Sequence, residues 1–325
     1  MKVLKFGGTS VGSARRMKNV ASIIGSSERK IVVLSAMSGT TNALVCIAGC
    51  FYRKAPDEAN KMISEQEQKY AREIEALYRT DLYKERALQL VTEHFNHVWS
   101  FSGKPFTVFD EKVILAQGEL ISTGMMDLYL QEQGIESVLL PALNFMRITA
   151  DGEPDPVYIR EKLVALLDQH PDTSVFITQG FICRNAYGDI DNLQRGGSDY
   201  SASLIGAAVD AEEIQIWTDI DGMHNNDPRI VEKTSPVRHL HFEEAAELAY
   251  FGAKILHPTC ILPAKLNNIP VRLLNTMQPE APGTMISNMT EKGKIKAVAA
   301  KDNITSIKIK SGRMLLATGF LRKVF

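Results

Sequence analysis

The sequence predicts a three-layer α/β/α sandwich with a mainly parallel central sheet. Short apolar runs recur along the 325 residues at intervals that suit alternation of strands and helices. Most runs are apolar throughout, which is typical of strands that are covered on both faces. The predicted strands are 3–6, 31–34, 138–140, 175–178, 214–217 and 271–274. The predicted helices between them include 14–24, 159–167, 200–209 and 242–250.

Two regions depart from this alternation. Residues 56–101 are charged and helical in period, and we interpret them as a helical insertion that shapes one wall of a cleft rather than as a separate module. A lysine-rich linker, 291–301, follows the main domain of 1–290, and 302–325 is typical of one strand and the first turns of a helix. We therefore expect a fragment that is cut inside a second, α+β domain.

Composition excludes several classes of function. The formal net charge of -1 gives no global basic field for nucleic acid or an anionic membrane. Four cysteines in a chain of this length do not form a disulfide framework. No run approaches the roughly 18 apolar residues of a membrane helix, and no signal peptide precedes the first strand. These two absences predict a cytoplasmic protein. No zinc or Ser–His–Asp arrangement stands out, so we expect no metal site built from the protein's own side chains.

The first segment that predicts chemistry is K-F-G-G-T-S at 5–10. Gly7 and Gly8 follow the first strand, and glycines let a backbone approach phosphate oxygens and expose its amide donors. Lys5 would add a compact positive charge against the β- and γ-phosphates. A tight strand–helix turn with a solvated lysine is the alternative interpretation.

Two further segments offer groups for an amino acid. The loop 35–42 follows the second strand and is rich in hydroxyls and amides, although an ordinary helix cap would have the same composition. In R-G-G-S-D at 195–199, Arg195 suits bidentate capture of a carboxylate. Ser198 or Asp199 can cap the following helix, and Asp199 could also bind a substrate ammonium, a metal or Lys5.

The remaining segments suit a nucleotide. Thr218 and Asp219 end a buried strand and could hold a ribose or base edge, while Arg229 could hold phosphates. Asp-Gly and Asp-Pro turn chemistry is the alternative for this region. Lys254 is a second candidate phosphate cation. No Walker A or protein-kinase signature occurs, so together the segments predict phosphoryl transfer at the carboxyl edge of an open sheet.

Taken together, these segments resemble the aspartokinases of the amino acid kinase family. The matching stretches are 5–10, 35–42, 117–123, 195–202, 217–229 and 251–258. The resemblance implies Mg²⁺-dependent transfer of the ATP γ-phosphoryl group to the β-carboxylate of L-aspartate, the first step of lysine, threonine and methionine biosynthesis. It also implies that 302–325 begins an ACT regulatory domain and that the full-length protein is a homodimer.

The same resemblance divides the site residues between the two substrates. Lys5 and Asp199 would be catalytic, Arg195 would take a substrate carboxylate, and Glu119 would take the ammonium. The nucleotide would be held by Lys5, Gly7, Gly8, Ser10, Thr218, Asp219, Arg229 and Lys254. The amino acid would be held by Ser35, Thr41, Glu119, Arg195, Ser198 and Asp199. His224 stands where related enzymes often carry a tyrosine, which leaves the base contacts open.

Two alternative functions stay open at this point, besides a fragment that folds and binds its ligands but is inactive. One is another small-molecule kinase of the same fold, for example of the glutamate or acetylglutamate type. Arg195 together with Glu119 favours an α-amino acid with a free ammonium and carboxylate. The other is a non-catalytic module that senses a nucleotide or amino acid, against which stands a full set of charged positions for the chemistry. The sequence does not indicate which end product would inhibit the enzyme.

Overall fold

The computed structural model describes residues 1–25, 28–193, 196–227, 230–251, 258–291, 295–300, 304–305, 307–309, 319 and 322. Its strands are β1 (Lys2–Phe6), β2 (Lys30–Leu34), β3 (Ser137–Leu140), β4 (Val175–Gln179), β5 (Ile182–Arg184), β6 (Ile190–Asn192), β7 (Glu213–Thr218), β8 (His239–His241), β9 (Val271–Asn275) and β10 (Thr284–Ser287). The strands β5 and β6 form a separate antiparallel hairpin, and the others form one 8-stranded sheet.

The 8-stranded sheet is mainly parallel. Its strand order is β3-β4-β2-β1-β7-β9-β10-β8, and β9 with β10 is its antiparallel pair. β1 lies near the middle and pairs with β2 on one side and β7 on the other, so that Phe6 stands opposite both Leu34 and Trp217. The loops after these three strands therefore open at one edge of the sheet, where ligands bind in open α/β folds.

Helices cover both faces of the sheet. The helices α1 (Ala14–Ile24), α2 (Thr40–Tyr52), α3 (Pro56–Leu77), α4 (Asp81–Trp99) and α5 (Val108–Glu132) pack on one face. The helices α6 (Pro156–Asp168), α7 (Gly197–Ala208), α8 (Phe242–Tyr250) and α9 (Leu262–Leu266) pack on the other. Short 3₁₀ turns lie at Ala142–Asn144 and Pro258–Ile261. The predicted three-layer sandwich is confirmed.

The strand β2 illustrates why the apolar runs are continuous. Val32 and Leu34 belong to the core under α1–α5, whereas Ile31 and Val33 belong to the core under α6–α9. Even Lys30 is buried, and its ammonium donates a hydrogen bond to the carbonyl oxygen of Ile24 over 3.1 Å. Every residue of β2 therefore lies against protein, and apolar side chains are favoured along such a strand.

The structure contains strands that the sequence did not predict, and one predicted segment lies almost wholly outside the described residues. The predictions omitted the hairpin β5–β6, the edge strand β8 and its neighbour β10. The helices α3 and α4 occupy most of 56–101. The predicted ACT-like segment, 302–325, lies almost wholly outside the described residues. Among the helices that are described, none is long and apolar enough to cross a membrane.

An ion pair joins α5 to the hairpin that leads into the R-G-G-S-D segment. The ammonium of Lys112 lies 2.6 Å from Oδ2 of Asp191, whose side chain is buried. Replacing Lys112 with methionine would leave that buried carboxylate without its cation. We expect the free energy of unfolding to fall by about 3 kcal/mol at pH 7 in urea denaturation. The exposed Lys104→Met variant serves as the control, and a loss below about 1 kcal/mol in Lys112→Met would contradict the expectation.

Candidate active site

Two cavities lie at the carboxyl edge of the sheet, on either side of the loop after β1. The β7 cavity, of about 610 Å³, is lined by Lys5, Gly7 and Asp219 among others. The β2 cavity, of about 450 Å³, is lined by Ser35 and Glu119 among others. Thr9 lines both cavities. The glycine-rich loop is therefore the wall that the two cavities have in common.

The path of this loop depends on glycine. The amide of Gly7 donates to the carbonyl oxygen of Trp217 over 3.3 Å, and the amide of Ser38 donates to that of Gly8 over 3.2 Å. A Cβ atom on Gly8 would lie 2.8 Å from the carbonyl oxygen of Ala36. Since no side chain fits in that space, the loop can lie between β7 and the loop after β2 only with glycine at this position.

Lys5 and Asp199 form an ion pair beside the glycine-rich loop. The Lys5 ammonium lies 2.7 Å from Oδ1 of Asp199, and the two side chains are 11% and 18% exposed. The contact lacks the alignment of a hydrogen bond. Of the partners that the sequence left open for Asp199, Lys5 is the one in contact. The pair lines the β7 cavity and presents a cation that an incoming anion can approach.

The start of α7 differs from the sequence prediction. The helix begins at Gly197 and its N-cap is Gly196, with no side-chain capping bond, so the prediction that Ser198 or Asp199 caps this helix was wrong. Gly196 and Gly197 have φ values of 75° and 47°, which lets the chain turn into the helix earlier than a capping side chain would require. Ser198 instead accepts a hydrogen bond of 2.9 Å from the Ser35 hydroxyl and lines the β2 cavity.

Glu119 brings a buried carboxyl group to the β2 cavity. It lies on α5, is 3% exposed, and its Oε1 accepts a hydrogen bond of 3.2 Å from the amide of Ala36. Within the described part of the chain, Oε2 has no hydrogen-bond partner. Burial raises the pKa of Glu119 to about 8. A ligand that carries an ammonium group would supply both the missing donor and a compensating charge.

The β7 cavity combines polar groups with an apolar wall. The Thr218 hydroxyl donates to Oδ1 of Asp219 over 3.3 Å and accepts from the amide of Ile220 over the same distance. Nδ1 of His224 lies 2.8 Å from Oγ1 of Thr234. The apolar lining, which the sequence analysis did not identify, includes Ile216, Trp217, Met223, Ile230, Val231, Leu248 and 298–300. A pocket with this mixture suits a planar base with a polar sugar.

The structure brings most of the predicted site residues to one of the two cavities. Lys5, Gly7, Asp199, Thr218 and Asp219 line the β7 cavity, and Gly8, Ser35, Thr41, Glu119 and Ser198 line the β2 cavity. Ser10 lines neither cavity, because its buried hydroxyl lies 2.7 Å from Oγ1 of Thr276. The predicted cations Arg195, Arg229 and Lys254 lie outside the described residues.

Phe181 is a further lining residue that the sequence analysis missed. It contributes to the β2 cavity and has a φ of 66°, which is unfavourable for a residue with a side chain. Its amide donates to the Ser201 hydroxyl over 2.8 Å, and its carbonyl oxygen accepts from the amide of Leu193 over 2.7 Å. Strain of this kind persists where surrounding contacts fix the backbone, and only the structure reveals those contacts.

Comparison with known proteins places this geometry in a family. The model of the amino acid kinase family matches residues 1–275. The chain belongs to the amino acid kinase family. Within that family it is one of the aspartokinases. The chain is 34% identical to lysine-sensitive aspartokinase 3 of Escherichia coli (strain K12) over 331 residues, and this match covers 99% of the chain and 72% of that protein. Aspartokinase 1, chloroplastic, of Arabidopsis thaliana is 36% identical over 339 residues.

A solved structure supports the same relationship. The crystal structure of E. coli aspartokinase III in complex with aspartate and ADP, in its R-state, superposes on this amino acid kinase with a TM-score of 0.76 at 32% identity. The match covers 90% of this chain and 65% of that one. The Arabidopsis match covers 99% of this chain and 58% of the plant protein. The chain thus spans about 58% of the length of that curated relative.

Proposed function

We propose that the chain transfers the γ-phosphoryl group of ATP to the β-carboxylate of L-aspartate and so forms 4-phospho-L-aspartate. The observation that carries the proposal is the pair of cavities that share the glycine-rich loop, with Lys5 and Asp199 beside it. Two substrates held in these cavities would meet at that loop. The likeness to aspartokinases over 99% of the chain supports aspartate as the acceptor.

The β7 cavity is the proposed nucleotide site. Its apolar wall suits the base, and Thr218 and Asp219 suit the ribose. Gly7, which has no side chain, leaves room for the phosphates, and Lys5 would lie against the transferring group. Gly8, which lines the β2 cavity, remains a predicted phosphate contact. Arg229 and Lys254 remain predicted phosphate contacts. The structure of E. coli aspartokinase III that contains aspartate and ADP supports a nucleotide next to an amino acid in this fold.

The β2 cavity is the proposed amino-acid site. Glu119 would accept the ammonium of L-aspartate, because its buried carboxyl group has an oxygen without a partner in the described part of the chain. Ser35, Thr41 and Ser198 line the same cavity and offer hydroxyls to the carboxylates. Arg195 remains the predicted partner of a substrate carboxylate.

The chemistry requires no general base. An oxygen of the β-carboxylate attacks the γ-phosphorus, the bond from that phosphorus to the bridging oxygen breaks, and ADP leaves with the electron pair. Because the carboxylate is already ionised, no proton has to be removed. Catalysis then consists of alignment and of stabilising the negative charge on the γ-phosphoryl oxygens, which is the part proposed for Lys5. Asp199 would orient Lys5 through their ion pair.

The residues present fit Mg²⁺ that is bound mainly by the nucleotide. In kinase sites this ion keeps several waters and takes one or two carboxylates together with substrate phosphates. Asp199 and Asp219 line the β7 cavity and could serve, and no group of three His, Cys, Asp or Glu side chains that could hold a metal occurs among the described residues. When bound, the ion would neutralise charge on the phosphates.

The proposal is tested by trapping the acyl phosphate as its hydroxamate. Reactions contain ATP and Mg²⁺ with L-aspartate, L-glutamate, N-acetylglutamate or no acceptor. We expect product with L-aspartate alone. Product with another acceptor would indicate a different small-molecule kinase, and nucleotide binding without product from any acceptor would indicate a binding module. The homodimer, the cytoplasmic location and the ACT domain remain predictions.

A further inference from the structure

One face of α3, in the helical insertion, contacts the loop after β2 and the start of α1. The ammonium of Lys69 donates a hydrogen bond of 2.7 Å to the carbonyl oxygen of Ser38. On the same face, the buried hydroxyl of Tyr70 lies 2.8 Å from Oγ1 of Thr40. One turn further, Oε2 of Glu73 accepts a hydrogen bond of 2.6 Å from the amide of Ala14 at the start of α1. These three contacts tie α3 to the loop after β2 and to the helix after the glycine-rich loop.

The contact of Lys69 fixes the orientation of one peptide group at the β2 cavity. In a trans peptide the C=O and N–H bonds point in opposite directions. When the Ser38 carbonyl is directed at Lys69, the amide of Gly39 is directed to the other side of the chain. Gly39 has a φ of 82°, lines the β2 cavity, and its amide donates to no acceptor in the described backbone hydrogen bonds.

The same contact also orients the N-terminus of α2. Gly39 is the N-cap of α2, with no side-chain capping bond, and Thr41 and Asn42 in its first turn line the β2 cavity. The first amides of a helix have no partners inside the helix and attract anions. The half-buried Lys69 ammonium lies close by, since a Cβ on Gly39 would be 3.7 Å from its Nζ. Lys69 itself does not line the cavity.

We propose that Lys69 is a positioning residue for the acceptor site, which holds the Ser38 carbonyl so that the Gly39 amide and the first turn of α2 face a carboxylate of the acceptor. This inference rests on the proposed function, because it assumes that the β2 cavity binds an amino acid. It assigns the helical insertion a part in acceptor binding, through a residue of α3 that does not touch the substrate.

The test compares Lys69→Met with Lys61→Met, a change of an exposed lysine on the same helix, and with Lys69→Arg, which keeps a cationic donor. We expect Lys69→Met to raise the KM for L-aspartate about tenfold, with kcat and the KM for ATP within about twofold of the wild-type values. Lys61→Met should match the wild type, and Lys69→Arg should recover part of the affinity. Equal losses for both substrates, or an unchanged KM for aspartate, would overturn the inference.

A second measurement does not depend on turnover. Hydrogen exchange of the amides in 36–42 should be faster in Lys69→Met than in the wild type, while the exchange of β1 stays the same. Unchanged exchange in 36–42 would also overturn the inference. If the wild type has no activity with aspartate, the proposed function fails, whereas the exchange result still decides whether Lys69 positions the loop. Lys69→Gln replaces Lys69→Met if the latter does not fold cooperatively by circular dichroism.

Discussion

Replacing Lys5 with alanine should lower kcat by about 10²–10³-fold, because a preorganised cation at the transferring phosphoryl group would be lost. The ammonium of Lys5 lies in the β7 cavity next to the loop that both cavities share, and Asp199 holds it there at 2.7 Å. The KM for aspartate should change little, since Lys5 does not line the β2 cavity. Initial rates at saturating substrates give kcat directly.

The control for this variant is Lys2→Ala, at the other end of β1. Lys2 pairs with Glu28 at the surface and lies outside both cavities. Its replacement should leave kcat within about twofold of the wild type and cost less than about 1 kcal/mol of stability. Turnover of Lys5→Ala close to that of the wild type would remove Lys5 from the mechanism. A fall in kcat that is matched by loss of cooperative unfolding would point to the fold instead of the chemistry.

Replacing Glu119 with glutamine should weaken the binding of L-aspartate and stabilise the unliganded protein. When L-aspartate binds, Glu119 can release its proton and balance the substrate ammonium as a carboxylate, whereas glutamine stays neutral, so we expect the KM for L-aspartate to rise about 100-fold. The unliganded protein should become more stable by on the order of 3 kcal/mol at pH 7, because folding would no longer bury an ionisable carboxyl group whose pKa is raised from 4.5 to about 8. Urea denaturation without substrates measures this difference.

The difference in unfolding free energy between Glu119→Gln and the wild type should depend on pH. Between pH 4.5 and about 8 the unfolded chain has released the Glu119 proton, whereas the folded chain keeps it. The contribution of Glu119 to the unfolding free energy is therefore fully present below pH 4.5 and is lost as the pH rises to about 8. The advantage of Glu119→Gln over the wild type should grow across this window and then become constant. An advantage that is the same at pH 5 and pH 8 would contradict the buried state of Glu119.

Asp127→Asn provides a matched control for Glu119→Gln. Asp127 lies on the same helix, and burial raises its pKa as well. It lies outside both cavities and is bonded to the Ser137 hydroxyl over 3.1 Å. The KM for aspartate should therefore be unaffected in Asp127→Asn. A similar rise in KM in both variants would indicate a general effect of α5 and would exclude a specific contact between Glu119 and the ammonium.

The central sheet could be predicted from sequence because its strands are covered on both faces. A residue such as Ile31 or Val33 must be apolar wherever a helix lies above it, and continuous apolar runs follow. The short strand β10, which lies next to the edge strand β8, and the hairpin β5–β6 lack this signal. They are three or four residues long and include polar side chains such as Asp191 and Thr284. Their pairing depends on tertiary contacts that a short window of sequence does not contain.

The residues that line the two cavities were predictable from sequence where a residue type has few other structural roles. They were less predictable elsewhere. Two successive glycines after a strand indicate a close backbone approach, and Gly8 has one. Ser10 is different, because a serine in a glycine-rich loop can bond to a ligand or to its own fold, and here it bonds to Thr276. Lys69 had no local signal, since its partner is the Ser38 carbonyl, 31 positions away in the sequence. Contacts of this kind require the three-dimensional fold.

The shared wall between the two cavities has a kinetic consequence. Among the described residues Thr9 is common to both linings, so under the proposed function neither substrate would have to pass through the other's binding site. Either substrate would then be able to bind first. Because both must be bound before phosphoryl transfer, initial rates measured against one substrate at several levels of the other should give intersecting lines in a double-reciprocal plot. ADP could likewise be exchanged for ATP while an amino acid stays bound. The order of events would then follow from the concentrations of the substrates in the cell and not from the shape of the protein.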